Sequence, residues 1–289
     1  MTKDLELFTF TDLADRAKSR SGWLLYPSWA VVNTLAGNDT IEAKGYYGIE
    51  IDGRLNTGIG NDTIAAKGID GITNTGTINT NRGNDKIIGI SSGRSVGAIY
   101  NTGTINTGRG NDTIAGEGDS SGIDTNGNGG MINTGRGNDT ITGIGRDGDG
   151  SYGIDNSGKI ITGAGNDTIT GIGSDSGISN AYDGTIDTGE GNDIVNALKG
   201  GFDGYGETYL GAGDDTLKGF GEGRFYGGTG IDNMFFGEGT YEISGSNVVS
   251  GGVTMNVSKF EKIGGANGGL FTFSNGTLTV DSAGIGTFA

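Results

Sequence analysis

Residues 107–114 read Thr107-Gly108-Arg109-Gly110-Asn111-Asp112-Thr113-Ile114, and close copies of this stretch recur along most of the chain. The aspartates of these copies are Asp39, Asp62, Asp85, Asp112, Asp139, Asp167, Asp193, Asp215 and Asp232. Subtracting successive positions gives intervals of 23, 23, 27, 27, 28, 26, 22 and 17 residues, a range in which each repeat can form one coil of a solenoid. The repeat therefore predicts an all-β, parallel β-solenoid of about 8–9 coils.

Up to three apolar positions accompany each aspartate. The first lies two residues after it, the second in a phrase close to Gly-Ile-x-Asn, and the third near Gly-Thr-Ile-x-Thr-Gly. Alternate residues of a strand face opposite sides, so each isoleucine can face inward while its neighbours face out. We predict three short strands per coil and three internal ladders. Their members are Ile41, Ile64, Ile87, Ile114, Ile141, Ile169 and Leu217; Ile72, Ile99, Ile123, Ile154 and Ile178; and Ile78, Ile105, Ile132, Ile160 and Ile186.

The composition restricts the chemistry that is available. The 289 residues include 63 glycines and one proline, which indicates many turns, but neither cysteine nor histidine. Carboxylates and carbonyls remain as ligands, and these suit hard cations such as calcium. The formal net charge of -16 argues against nucleic acid as a partner. No segment is long and apolar enough to span a membrane, and the N-terminus does not read as a cleavable signal peptide.

Residues 227–235, Gly-Gly-Thr-Gly-Ile-Asp-Asn-Met-Phe, resemble a complete nonapeptide of the RTX, or hemolysin-type, calcium-binding repeat family. The earlier copies replace the first glycine with threonine or leucine. The resemblance implies that calcium binds between stacked corners, held by aspartate carboxylates and by carbonyls of the glycine loops. The implied ligands are the nine aspartates named above with Gly58, Gly60, Gly108, Gly110, Gly135, Gly137, Gly163, Gly165, Gly189, Gly191, Gly211, Gly213, Gly228 and Gly230.

The spacing departs from typical RTX repeats, which are tandem nonapeptides with two calcium corners per turn. Here most coils have one motif, and the remainder is similar to repeats of autotransporter-type β-helical adhesins. We therefore expect one calcium row, with roughly one ion per coil. Leu35 and Asn81 replace a motif glycine, so the corners at Asp39 and Asp85 are expected to be less secure.

The two ends differ from the repeats. Residues 1–33 are predicted to form an N-terminal cap with a short helix within 11–20, and the apolar residues of 23–29 to cover the first coil. Residues 34–235 form the predicted calcium-binding solenoid. Residues 236–289 are predicted to be a C-terminal β cap, with hairpins at Asn267-Gly268 and Asn275-Gly276 and an uncleaved secretion signal.

These features favour a secreted, calcium-binding structural or adhesive protein that folds on binding extracellular calcium. The RTX resemblance implies type I secretion to the exterior or cell surface. Two partners besides calcium are left open: the protein itself, through assembly into a filament or surface layer, and a cell-surface polysaccharide.

We do not expect an enzyme, but two alternatives are retained. A calcium-dependent polysaccharide lyase or epimerase would need clustered charged groups, whereas the basic residues look scattered singly over coils and Asp147 and Asp149 lie in a glycine-rich loop. The basic residues in question are Lys86, Arg94, Arg109, Arg136 and Lys159. An ice-binding solenoid would need a regular threonine face, which is present at Thr140-Ile-Thr142 and Thr168-Ile-Thr170 but interrupted elsewhere.

Overall fold

The computed structural model describes residues 3–4, 11–19, 24–93, 97–125, 129–146 and 150–289. Within these residues all regular secondary structure is β, and no helix is present, so none could cross a membrane. The strands form three sheets that wind into a parallel β-solenoid of about nine coils. The predicted fold class is confirmed.

The first sheet contains the strands that follow the aspartates, and its strands pair in parallel up to the last one. Its strands are Arg16–Ser19, Thr40–Lys44, Thr63–Gly68, Lys86–Ser91, Thr113–Gly118, Thr140–Gly145, Thr168–Ile172, Ile194–Lys199, Thr216–Lys218, Asn233–Phe236, Lys262–Gly265 and Gly268–Thr272.

The second sheet contains the Gly-Ile-x-Asn phrases and is parallel throughout. Its strands are Lys3–Asp4, Leu24–Tyr26, Ile49–Ile51, Ile72–Asn74, Ile99–Asn101, Ser121–Thr125, Tyr152–Asn156, Ser176–Asn180 and Phe202–Asp203.

The third sheet leads into the aspartate corners and continues into the C-terminal cap. Its strands, in spatial order, are Val31–Asn33, Arg54–Asn56, Thr77–Asn79, Thr104–Arg109, Met131–Arg136, Lys159–Ala164, Thr185–Asp187, Glu207–Ala212, Gly223–Thr229, Val253–Ser258, Asn247–Ser250, Gly239–Ser244, Gly276–Val280 and Gly286–Phe288.

The three predicted isoleucine ladders form the core. Ile87, Ile114 and Ile141 are direct register partners in the first sheet, and the same alignment holds in the other two sheets. Every ladder member is buried; the residues on either side of it are more exposed in the first and third ladders, whereas in the second ladder only the residue after it is more exposed. The coils thus share one continuous apolar interior, which no single coil could bury alone.

The predicted N-terminal helix is wrong where the structure describes it. Arg16–Ser19 is a strand that pairs in parallel with Thr40–Ala43, and Ala17 is buried beneath Ile41. Local helix propensity is a weak preference, and an edge strand that can complete a sheet and bury a side chain outweighs it. The segment is an additional coil of the solenoid rather than a helical cap.

The aromatic cover predicted for the first coil is only partly observed. Leu24 is buried in the second sheet, but Trp29 is 72% exposed. Trp23, which belongs to the same prediction, lies outside the described residues. The first coil is therefore not covered by Trp29.

The C-terminal cap is an antiparallel arrangement of strands that closes the parallel stack. The predicted hairpin at Asn267-Gly268 is confirmed, since Lys262–Gly265 pairs with Gly268–Thr272. The hairpin predicted at Asn275-Gly276 is wrong, because Gly276–Val280 pairs with Gly239–Ser244 in another sheet. The Asn275 side-chain oxygen accepts the backbone N–H of Gly245 at 2.8 Å, so this turn connects two sheets.

The glycines of the aspartate corner are required by the stacking of coils. Gly137 has φ of 131°, and an added Cβ would lie 1.9 Å from the carbonyl oxygen of Gly110 in the coil before it. We expect Gly137→Ala to lower the free energy of unfolding by at least about 1–3 kcal/mol, as measured by denaturant unfolding. Gly237→Ala is the control, since nothing lies within 4 Å of its added Cβ. Equal stability of the two variants would contradict this account.

Candidate metal-binding corner

The corner between the third and first sheets has the same backbone shape in coil after coil. Glycines four and two residues before most of the aspartates have positive φ, as at Gly108 (102°) and Gly110 (138°). The carbonyl oxygen of the preceding coil occupies the space where a side chain would begin. Only residues without a Cβ fit such positions without strain.

Leu35 and Asn81 occupy the first of these glycine positions and adopt the same left-handed region, with φ of 73° and 72°. Their corners keep the hydrogen bonds of the others: Asp39 N–H donates to Asp62, and Asp62 N–H donates to Asp85, both at 2.8 Å. The two substitutions therefore leave the hydrogen bonding of the corners unchanged.

The nine predicted aspartates form one continuous row, which we call the aspartate column. Each of its side chains is 1% exposed or less. The Oδ1 atom of each aspartate accepts the backbone N–H of the aspartate in the preceding coil, as at Asp112 N–H to Asp139 Oδ1, 2.8 Å. The same bond, between 2.7 and 2.9 Å, joins every successive pair. The structure brings all nine predicted residues together.

The second oxygen of these carboxylates has no hydrogen-bond partner among the described residues in eight of the nine corners. These atoms are Oδ2 of Asp62, Asp85, Asp112, Asp139, Asp167, Asp193, Asp215 and Asp232. Most buried polar atoms in proteins have a partner, so a whole row of unpartnered oxygens requires an explanation.

A threonine five residues before most aspartates lies beside the carboxylate. Burial raises the pKa of Asp85 and Asp112, and the threonine hydroxyl beside each carboxylate opposes part of this rise. Its proton is nevertheless directed to the next coil, since Thr80 Oγ1 donates to the Thr107 carbonyl at 3.2 Å. At the start of the column the hydroxyl of Thr34 lies within hydrogen-bond distance of both Asp39 Oδ2 and the Thr57 carbonyl of the next coil. A hydroxyl has one proton, so it cannot satisfy both acceptors.

Burial raises the pKa of the eight column aspartates from Asp62 to Asp232, because removal from water disfavours the charged form. The pKa is raised to about 7 for Asp85 and Asp215 and to about 6 for Asp139 and Asp193. Adjacent aspartates raise these values further, and the backbone N–H bond partly opposes the rise. Without a cation, the column therefore holds its negative charge poorly.

The free carboxylate oxygens of the column are suitable ligands for a hard cation. One buried Oδ2 per coil is free, and no group of three or more acidic side chains converges within the described residues. The remaining ligands would have to be carbonyl or hydroxyl oxygens. The glycine carbonyls of Gly58 and Gly163 each accept an N–H from the next coil, which leaves one lone pair on each oxygen.

The asparagine before each of the first seven aspartates forms a second, outward ladder, which Asp214 continues. Asn84 N–H donates to Asn61 Oδ1, and Asn111 N–H donates to Asn84 Oδ1, at 2.7 and 2.8 Å. This ladder runs in the opposite direction to the aspartate bonds. The asparagine thus stabilises the turn through contacts between coils.

Two members of the column were not predicted. Asp15 N–H donates to Asp39 Oδ1 at 2.8 Å, and Asp232 N–H donates to Glu261 at 2.8 Å, so Asp15 and Glu261 continue the row at its two ends. Asp15 lies 24 residues before Asp39, which is within the repeat interval, and this spacing could have revealed it. Glu261 follows no glycine motif, and only the strand register identifies it.

The residues considered for the two alternative functions, an enzyme acting on polysaccharide and an ice-binding solenoid, are only partly described. Arg94, Asp147 and Asp149, which were considered for the enzyme, lie outside the described residues. The threonine pairs Thr140/Thr142 and Thr168/Thr170 align with each other but border Ala115 on one side and Asn196 on the other. The paired threonines therefore cover two coils rather than a whole face.

No protein-family model matches this chain, and no curated protein matches it significantly.

The raised pKa values predict how stability depends on pH in the absence of divalent cations. Unfolded aspartates ionise near pH 4, whereas Asp85 and Asp215 ionise only near pH 7 in the folded state. Between these limits the folded protein binds more protons, so its stability should fall as the pH rises from about 4 to about 7 and then level off. Thermal unfolding in EDTA across this range measures the effect.

Asp139→Asn should lose less stability over the same pH interval, because it removes one carboxyl group and keeps the side-chain oxygen that accepts the Asp112 N–H. The exposed Asp183→Asn provides the control for a simple change of net charge. A melting temperature that rises towards neutral pH, or an unchanged slope in Asp139→Asn, would contradict the prediction.

Proposed function

We propose that the protein is an extracellular structural or adhesive solenoid that is stabilised, and driven to fold, by calcium bound along the aspartate column. The observation that carries the proposal is the row of eight buried Oδ2 atoms without partners. The resemblance of residues 227–235 to the RTX nonapeptide supports the identity of the ion.

Electrostatics support the need for a cation. Coils stack at about 4.8 Å, and two carboxylates at that separation repel by roughly 1 kcal/mol in water and by roughly 3 kcal/mol at an effective dielectric constant of 20. Nine ionised groups in one row would oppose stacking along its whole length. A divalent ion between successive corners would convert this repulsion into attraction.

The donor types favour calcium over other metals. The chain contains no histidine or cysteine, which excludes the usual ligands of zinc and copper. Calcium accepts six to eight oxygen ligands in flexible geometry, including backbone carbonyls, whereas magnesium requires a near-ideal octahedron. A corner with one free carboxylate oxygen and several carbonyls is better suited to calcium.

Calcium-coupled folding is consistent with export of an unfolded chain. Because the full site requires stacked coils, the free energy of ion binding contributes to folding. The RTX resemblance suggests type I secretion, with the C-terminal residues acting as an uncleaved signal. Calcium would then be acquired outside the cell, where calcium-binding modules typically have weak, millimolar affinities.

Calcium titration tests the proposal. We expect far-ultraviolet circular dichroism at pH 8 to gain β signal, or the melting temperature to rise, as calcium is added to protein purified in EDTA. A rise of about 2.7 kcal/mol in stability is expected for one site at 100 times its dissociation constant, and several sites should give more. No change in either observable would refute calcium binding by the column.

Asp139→Asn gives effects of opposite sign in the two conditions. Without calcium it should stabilise the protein at pH 8, because it removes a buried charge and keeps the hydrogen bond from Asp112 N–H. When calcium is added, the variant should gain less stability than the wild type gains, because the variant has lost one carboxylate ligand. If the column is only structural, the variant would be more stable in both conditions.

Self-association through the N-terminal end is part of the proposal. Four apolar side chains near this end of the solenoid are strongly exposed: Leu13 (75%), Trp29 (72%), Val31 (62%) and Leu35 (47%). A cluster of exposed large apolar residues is typical of an interaction surface. Contact of this end with another copy would extend the stack of coils or form a dimer.

Analytical ultracentrifugation in calcium tests this contact. We expect the wild-type protein to sediment as a concentration-dependent oligomer, and Trp29→Ser/Val31→Ser to shift it towards the monomer. Tyr182→Ser, which removes an aromatic residue that is 71% exposed elsewhere on the surface, is the matched control. A monomer at all concentrations for the wild type would contradict self-association.

A further inference from the structure

Three arginines lie one above another on successive coils. Arg82 and Arg109 are register partners, and Arg109 pairs in turn with Arg136. All three side chains are exposed. Arg109 and Arg136 were expected to be scattered singly, and this is wrong: Arg82, Arg109 and Arg136 lie three residues before successive corner aspartates, so they share one position of the coil. We call these three residues the arginine ladder.

The arginine ladder occupies one position of the aspartate corner, three residues before each aspartate. The neighbouring coils have Ile59 on one side and Ala164 on the other, and Glu190 follows Ala164. The ladder is therefore a bounded group of three cations at intervals of about 4.8 Å on a protein whose formal net charge is -16.

None of the three guanidinium groups makes an ion pair or a hydrogen bond with another described residue. Outward-facing neighbours on the same coils are largely uncharged: Thr104 and Asn106 precede Arg109, and Thr113 and Ala115 follow its aspartate. The nearest outward carboxylate along the first sheet, Glu117, is bonded to Arg146 at 2.6 Å. The ladder is thus surrounded by groups that do not neutralise it.

Folding does not require arginine at this position. Ala36, Ala164 and Ala212 occupy it in other coils with the same backbone pairing. Stacked like charges repel by roughly 1 kcal/mol per pair in water, so the ladder costs stability unless something offsets it. Arginine presents a planar fork that pairs bidentately with carboxylate groups. A ligand with regularly spaced carboxylates would supply the missing partners.

We propose that Arg82, Arg109 and Arg136 form a binding site for a linear polysaccharide with a carboxylate on successive sugars. Lys86 and Lys159 are exposed on the adjoining strands and extend the positive surface on both sides of the corner. Threonine and asparagine side chains on the flanking strands can form hydrogen bonds with sugar hydroxyls.

The surroundings favour a polysaccharide over a nucleic acid. Single-stranded nucleic acids are usually held by stacking of bases on aromatic side chains, and the outward positions flanking the ladder contain threonine, asparagine, methionine, lysine, isoleucine and alanine. This site would provide the adhesive part of the proposed function, and it does not depend on calcium occupying the aspartate column.

Binding of a short oligogalacturonate to the full chain tests the site. Isothermal titration calorimetry at low salt should detect binding by the wild-type protein and no binding of a neutral maltooligosaccharide. Arg82→Ala/Arg109→Ala/Arg136→Ala should weaken binding on the order of tenfold or more, because three charge-assisted contacts are lost. A sulfated oligosaccharide in a parallel titration determines whether carboxylate is preferred, as proposed.

The control removes the same charge elsewhere. Lys199→Ala/Lys218→Ala/Lys262→Ala lies on the first sheet in later coils and should bind like the wild type. Circular dichroism and melting temperature verify that both variants fold. Repeating these measurements and the titration in calcium and in EDTA shows whether calcium binding to the aspartate column, polysaccharide binding to the arginine ladder, or both are absent. Absence of binding by the wild type, equal binding by the arginine variant, or tighter binding of a single-stranded oligonucleotide would overturn the proposal.

Discussion

One hydrogen bond governs how the coils of this protein stack: the backbone N–H of each corner aspartate donates to the carboxylate of the aspartate in the next coil. The bond requires that every corner has the same shape and the same height. Glycine is then favoured at the corner, because the carbonyl of one coil occupies the space where the next would place a Cβ, and only Leu35 and Asn81 replace it in the corners of the nine predicted aspartates. The aspartate corner is the fixed element of the solenoid.

Other parts of each coil vary because they are not bound by this constraint. Three residues separate the strands Thr63–Gly68 and Ile72–Asn74, whereas seven residues separate Lys86–Ser91 from Ile99–Asn101. Both pairs nevertheless keep their register across the coil interface. Differences in repeat length are thus absorbed on the side away from the aspartates, where loops can extend without disturbing the ladders.

The aspartate bond also creates the chemistry of the corner. It fixes one carboxylate oxygen against the backbone and leaves the other buried without a partner. The same bond that aligns the coils therefore places unsatisfied negative charge in a row. A cation is the simplest means of satisfying that row, whereas the exposed arginine ladder three residues away faces solvent and can meet a separate, anionic ligand.

The sequence by itself determined the features that depend on period and residue type: the solenoid, the three ladders of buried isoleucines, and the aspartates that share one corner. These follow from regular spacing and from alternation along strands. The tertiary structure decided what depends on register across unequal coils. It turned Arg16–Ser19 into a strand, because pairing with a neighbouring coil outweighs local preference, and it added Glu261 to the column, because only stacking shows which distant residues meet when no motif marks them.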